Sequence, residues 1–266
     1  MEPVPDPRLV AAVVARIDAA LAASDALLVV GICGAQGSGK STLAAHLAER
    51  LGNRGLRVAA LSLDDLYRTR AERMRLAAQI HPLLATRGVP GTHDVALGLA
   101  TLDALARGEP ARLPRFDKAA DDRAPAQAWP LAPAETQILL LEGWCLGARP
   151  QADVCDPVNA FEAAEDPDAV WRNHANSALA GEYQQLFARI DLLVLLAAPG
   201  WDIVARWREQ QEAELRTGGG ARVMNPAEVT RFIQLYERLT RWILEEMPAR
   251  ADLIVQLGEN REVLNL

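Results

Sequence analysis

A three-layer, doubly wound α/β fold, with a mainly parallel sheet of about five strands, is predicted by three features of this 266-residue sequence. Short aliphatic runs alternate with longer helical stretches along the chain, the pattern of strands joined by crossover helices. One strand–helix junction, Gly34-Ala35-Gln36-Gly37-Ser38-Gly39-Lys40-Ser41, matches G-x-x-x-x-G-K-[ST] in full. The loops that follow the strands are long and charged, and in such sheets a ligand lies beyond the carboxyl ends of the strands.

The elements can be justified in order. Asp6-Pro7 joins an N-cap residue to a proline at the first helical position, predicting an amphipathic helix to about residue 23. Residues 27–33 are apolar and predict a buried strand entering the glycine-rich loop; 42–51 predict the helix leaving it. A second strand over 56–63 ends on Asp64-Asp65-Leu66-Tyr67. A charged helix over 70–80 leads into the loop Arg87-Gly88-Val89-Pro90-Gly91-Thr92-His93-Asp94, and 95–107 is helical again. Five prolines make 108–134 an irregular excursion. A short strand over 138–141 ends at Glu142-Gly143, residues 147–167 read as loop, and 168–188 as one helix. A strand at 190–196, helices at 201–216 and 226–246, and a last strand at 251–257 complete the chain. No internal repeat or linker interrupts this order, so a single domain over 1–266 is expected. The helix ending in Thr217-Gly218-Gly219-Gly220 reads as a lid with a hinge, over about 201–222, or as a plain solvated helix face.

The glycine-rich loop carries most of the chemistry. Glycines let backbone N–H groups close on phosphate, so Gly34, Ala35, Gln36, Gly37, Ser38, Gly39, Lys40, Ser41 and Thr42 are the candidate nucleotide contacts. Lys40 is placed for the β- and γ-phosphates, and the Ser41 hydroxyl for Mg²⁺. Only two of the 28 basic residues are lysine, Lys40 and Lys118. A chain that otherwise uses arginine keeps lysine where a compact, rotatable ammonium differs most from a planar fork, which singles out Lys118 as well. Asp64 and Asp65 stand where the second strand runs out; either can accept a hydroxyl proton or orient the metal shell, or simply cap a turn. Glu142 ends an aliphatic strand as a second metal-side acid would. Pro90-Gly91 as a turn with Thr92 as N-cap explains that loop structurally, while a helix start beside Arg87 is also an anion site.

Composition narrows the alternatives. A net charge of −7 argues against a general nucleic-acid binder. Three cysteines without metal-like spacing suit a reducing compartment. No apolar run approaches the roughly 18 residues of a membrane span, and the N-terminus lacks a secretion signal, so a cytoplasmic protein is expected, with no obligate protein partner indicated. A GTPase would carry a guanine-reading Asn-Lys-x-Asp; Lys118 is followed by Ala119-Ala120 instead.

Taken together, these segments resemble the P-loop D-glycerate 3-kinases of the plant and fungal type and their bacterial relatives. The matching stretches are Gly34 to Thr42, Ser62 to Tyr67, Arg87 to Asp94, Pro114-Arg115-Phe116-Asp117-Lys118, Asp121-Asp122-Arg123, Leu141 to Cys145 and Trp207 to Glu212. The first two are shared with uridine kinases, phosphoribulokinases and pantothenate kinases; RGVPGTHD and PRFDKA are more specific. The resemblance implies ATP- and Mg²⁺-dependent phosphorylation of the terminal hydroxyl of glycerate. It makes Lys40, Asp64 and Arg208 the catalytic candidates, with Asp64 as general base, and Ser41 and Glu142 the metal side. Asp65, Tyr67, Arg87, Thr92, His93, Asp94, Arg115 and Lys118 then form the acceptor side. Another small hydroxylated metabolite as acceptor, or a nucleotide-dependent switch, is the alternative.

Overall fold

The computed structural model describes residues 4–217 and 226–266. Its first half runs α1 (Pro7–Ala23), β1 (Leu28–Gly34), α2 (Lys40–Gly52), β2 (Val58–Ser62), a 3₁₀ turn (Leu63–Leu66), α3 (Arg70–Gln79) and α4 (Val95–Ala106). Then come the two-residue strands β3 (Ala111–Arg112), β4 (Phe116–Asp117), β5 (Asp122–Arg123) and β6 (Leu131–Ala132), and after them β7 (Ile138–Gly143), α5 (Ala160–Glu165), α6 (Val170–Ala180) and α7 (Glu182–Phe187). The chain ends with β8 (Leu192–Ala197), α8 (Trp201–Thr217), α9 (Pro226–Glu246), β9 (Leu253–Leu257) and β10 (Val263–Asn265).

Among the described residues the main sheet has six strands in the order β10-β9-β8-β1-β7-β2. The five predicted strands are all parallel; the sixth, β10, is an antiparallel edge too short to signal itself in the sequence. β1 and β7 are buried along their whole length, which is why they read as continuous aliphatic runs and not as alternation. Both faces are covered, α2 for instance burying Leu43, Ala44, Leu47 and Leu51 on one stripe.

Register places the chemistry. Ile32 of β1 and Ser62 of β2 both stand opposite Glu142 of β7, and Gly34 stands opposite Leu196 of β8. The phosphate loop, the Asp64 turn and Glu142 therefore leave the sheet at one level. The chain order reverses direction around β1, which is where such sheets open a crevice.

Several expectations need correction. The helix expected over 168–188 is two helices, broken at Gly181. The loop expected at 147–167 contains α5, started by the Asn159 side chain accepting from Glu162 N. The irregular excursion 108–134 is tied into two small ladders, β3 with β6 and β4 with β5. Of the expected lid, α8 is described to Thr217 and buries Trp207. Its proposed hinge, Gly218-Gly219-Gly220, lies outside the described residues.

Candidate active site

The phosphate side is built by a strand that stops and a helix that starts without a cap. Ala35 and Gln36 turn the chain out of β1, and Gly37 and Gly39 hold φ of 79° and 89°, a region that L side chains rarely adopt. A Cβ on Gly37 would also stand 2.8 Å from the Trp207 Cβ. Gly39 is the N-cap of α2 and offers no side chain, so the first-turn N–H groups of Lys40, Ser41 and Thr42 remain available to an anion. The loop is braced from the C-terminus, where Arg261 Nε donates to the Gly37 carbonyl at 2.6 Å.

Ser41 and Glu142 meet as expected. The Ser41 hydroxyl donates to Glu142 Oε1 at 3.0 Å, and Lys40 Nζ lies 3.9 Å from Oε2. Oε2 is buried and accepts no hydrogen bond, an expensive arrangement that a cation beside it would relieve. Among the described residues no cluster of three His, Cys, Asp or Glu side chains forms an all-protein cage. One hydroxyl and one carboxylate, with phosphate and water completing the shell, is the donor set that Mg²⁺ takes in phosphate sites. The residues fit Mg²⁺.

The acceptor side is organised by the 3₁₀ turn after β2. The Ser62 side chain accepts from Asp64 N and fixes the turn. Asp64 takes Lys118 Nζ on Oδ2 at 2.9 Å and the Tyr67 hydroxyl on Oδ1 at 2.8 Å. Burial pushes its carboxyl up, but the charges of Lys118 and Lys40 and those two hydrogen bonds outweigh burial and hold it below the usual carboxylate range. Asp65 faces the other way: it accepts from Phe116 N at 3.1 Å and from Arg115 at 3.4 Å, and burial raises its carboxyl. The two neighbouring acids thus separate into an ionised group at the crevice and an anchor for the β4–β5 hairpin.

That hairpin accounts for the Arg115–Arg123 motif residues. Asp121 pairs with both Arg73 and Arg87, and Arg123 pairs with Asp94 at 2.9 Å. Arg87, expected as an acceptor anchor, has its guanidinium committed to Asp121, 5.4 Å from the centre of the Phe116 ring.

The loop 87–94 is mostly interior. Thr92 is not the N-cap of α4; Asp94 is, accepting from Leu97 N at 3.1 Å, while the Thr92 hydroxyl donates to Val89 O and accepts from Gly88 N. Thr92 and His93 are fully buried, so both hold the loop from inside and neither presents a side chain at the surface. His93 stacks on Tyr67 with ring centres 4.5 Å apart, and its Nδ1 is 2.6 Å from the Tyr183 hydroxyl. Burial pushes its imidazole down to about 3, so it is neutral at physiological pH.

Arg208 is half-buried on α8, its guanidinium 5.4 Å from the Phe232 ring centre; burial raises the Tyr236 phenol most, Asp64 raises it further, and Arg208 opposes them. Arg208 and Asp64 therefore both act on Tyr236. The sequence reading missed Tyr183, Tyr236, Trp144 and Arg261. The first two could have been found by rarity, since the chain has three tyrosines and all three pack around this loop.

Comparison with known proteins places this arrangement. A family model described as methylmalonyl Co-A mutase-associated GTPase MeaB matches residues 6–69, which hold the phosphate loop and the Asp64 turn and stop before the loop 87–94 and the β4–β5 hairpin. The "Uncharacterized kinase mug58" of Schizosaccharomyces pombe is 36% identical over 225 residues, 78% of each protein. The chloroplastic D-glycerate 3-kinase of Arabidopsis thaliana is 30% identical over 251 residues, covering 88% of this chain and 53% of that one, so this chain spans about half the length of the plant protein. The solved D-glycerate 3-kinase of Cryptococcus neoformans aligns with a TM-score of 0.73 at 26% identity, over 90% of this chain and 89% of its own.

Proposed function

For a chain that belongs to the P-loop kinase family of the D-glycerate 3-kinases, we propose transfer of the γ-phosphoryl group of ATP to the terminal hydroxyl of D-glycerate, giving 3-phosphoglycerate. The observation that carries this reading is the Asp64–Lys118 pair: a carboxylate held below the usual range beside an exposed ammonium, close to Lys40 and the phosphate loop. A hydroxy acid needs both, a base for its hydroxyl and a cation for its carboxylate.

The α2 N-terminus and Lys40 hold and neutralise the phosphates. Ser41 and Glu142 would hold Mg²⁺, which when bound would further neutralise the charge on the transferring group. Asp64 orients the acceptor hydroxyl and takes its proton as the new O–P bond forms. Little nucleophilic push is required in a loose transition state, so a carboxylate is basic enough for this step once it is free to receive the proton. Lys118, exposed at the tip of the hairpin, receives the acceptor carboxylate, Arg115 stands behind it on Asp65, and Arg208 supplies charge from the α8 side.

The test is product formation followed by ³¹P NMR with ATP, Mg²⁺ and an acceptor panel of D-glycerate, L-glycerate, glycerol and nucleosides. D-glycerate should be turned over far faster than glycerol, which lacks the carboxylate. Equal rates on glycerol and glycerate, or a nucleoside as best acceptor, overturn the assignment.

A further inference from the structure

We propose that Lys118 is an acceptor-displaced counter-ion of Asp64, which keeps the base covered until a substrate carboxylate draws the ammonium away. This rests on the hydroxy-acid kinase reading and adds to it how the site discriminates acceptor from water.

The geometry separates Lys118 from every other cation of the hairpin. Arg115 is tied to Asp65, Arg87 to Asp121 and Arg123 to Asp94. The hairpin base is fixed further by Phe116 N on Asp65 and by Arg70 N on Asp122. Lys118 stands at the tip, on a side chain 63% exposed, and its ammonium pairs with Asp64 Oδ2. The ammonium lies on the solvent side of the pair while Asp64 is only 29% exposed, so an incoming carboxylate can reach Lys118 and give it a new partner in place of Asp64. The four-carbon stem lets the ammonium turn without moving the hairpin, which an arginine fork would do less readily.

The exchange changes what Asp64 can do. While Lys118 sits on Oδ2, its ammonium takes one of that oxygen's lone pairs and lowers the basicity of the carboxylate. When the ammonium turns to the acceptor's carboxylate, Oδ2 is freed and loses the partner that most lowers its basicity. The remaining charged and titratable groups around Asp64 stay as they are: Lys40, Tyr67, Asp65, His93, Tyr236 and Cys145. The acceptor hydroxyl then gives its proton to Oδ2, its oxygen bonds to the γ-phosphorus, and the bond from phosphorus to the β–γ bridging oxygen breaks, releasing ADP. Without an acceptor, water would meet the carboxylate still paired with Lys118 and least basic, so idle hydrolysis of ATP to ADP and phosphate is held down.

Two arms test this. In the wild-type enzyme, D-lactate offers the carboxylate without the terminal hydroxyl, and it should stimulate ATP hydrolysis by water. In Lys118→Met, acceptor-free hydrolysis should rise by at least about tenfold, part of the roughly 10²–10⁴-fold that a placed general base is worth. D-lactate should add nothing further to it, while KM for D-glycerate rises. Calorimetric binding of D-glycerate without nucleotide should weaken in Lys118→Met and return in Lys118→Arg. If D-glycerate is phosphorylated but D-lactate leaves wild-type hydrolysis flat and Lys118→Met hydrolyses ATP no faster than wild type, the counter-ion role is overturned and the kinase reading stands. If D-glycerate is not phosphorylated at all, the kinase reading itself fails. The D-lactate arm needs no variant, so a poorly folded Lys118→Met does not shelter the idea.

Discussion

Asp64 shows how much a single residue's role depends on its neighbours. Asp64 and Asp65 are chemically identical and adjacent, yet only the first turns to the crevice; the second is consumed by Phe116 N and Arg115. The sequence left the choice between them open because a strand end does not say which way a following turn faces. The 3₁₀ turn capped by Ser62 says it. Asp64→Asn should therefore keep ATP binding and lose turnover by about 10²–10⁴-fold, since an amide cannot take the acceptor's proton. Collapse of ATP affinity with turnover at saturation preserved would move Asp64 into the metal site. Lys40→Ala should leave a folded protein with turnover down by about 10²-fold or more, read in the same assay beside a melting curve. A folded Lys40→Ala variant of wild-type rate would remove the phosphate loop from the mechanism.

Among the elements, the loop 87–94 was the least legible from sequence, although its residues were the most specific to the family. Its motif pointed to a ligand; its side chains mostly point inward. The Tyr183 hydroxyl accepts from Gly91 N at 3.0 Å and from His93 N at 3.3 Å. Having spent its acceptor capacity on them, it donates its one proton to His93 Nδ1, which fixes the His93 tautomer with hydrogen on Nε2. Trp144 Nε1 donates to Gly88 O at 2.9 Å, and Tyr236 packs against Gly88, whose φ of 136° no other residue adopts readily. The loop is thus held by α7, α9 and the segment after β7, contacts that are distant in sequence and carry no local signature. Tyr183→Phe should cost roughly 2–4 kcal/mol, because two buried N–H groups and a ring nitrogen lose their partner at once. Denaturant melts measure this directly. An effect below about 0.5 kcal/mol would mean that another group takes over those bonds.

At the scale of the whole molecule, the parallel sheet was legible because each central strand is buried on both faces and is followed by a helix. The edge strand β10 and the small ladders of 108–134 were not, because two- and three-residue strands are made by their partners, not by their own pattern. The same tertiary enclosure that hid these contacts gives the molecule an acid weakness. His93 is wholly enclosed and its imidazole is pushed down to about 3, while in the unfolded chain it titrates near the ordinary imidazole value of 6.5. Below that value the unfolded state binds a proton that the folded state refuses, so stability falls as pH drops from 6.5 toward 3. The sign is that of a base with a depressed folded pKa: full stability above 6.5, progressive loss below. Between pH 7 and pH 5 this one group should remove about 2 kcal/mol. Urea midpoints of the wild type and of His93→Gln at both pH values isolate the effect, since only the change with pH is compared and any fixed cost of the substitution cancels. The wild type should lose about 2 kcal/mol more than the variant over that interval. Equal losses would show that His93 takes up its proton inside the fold, with the loop 87–94 opening to admit it.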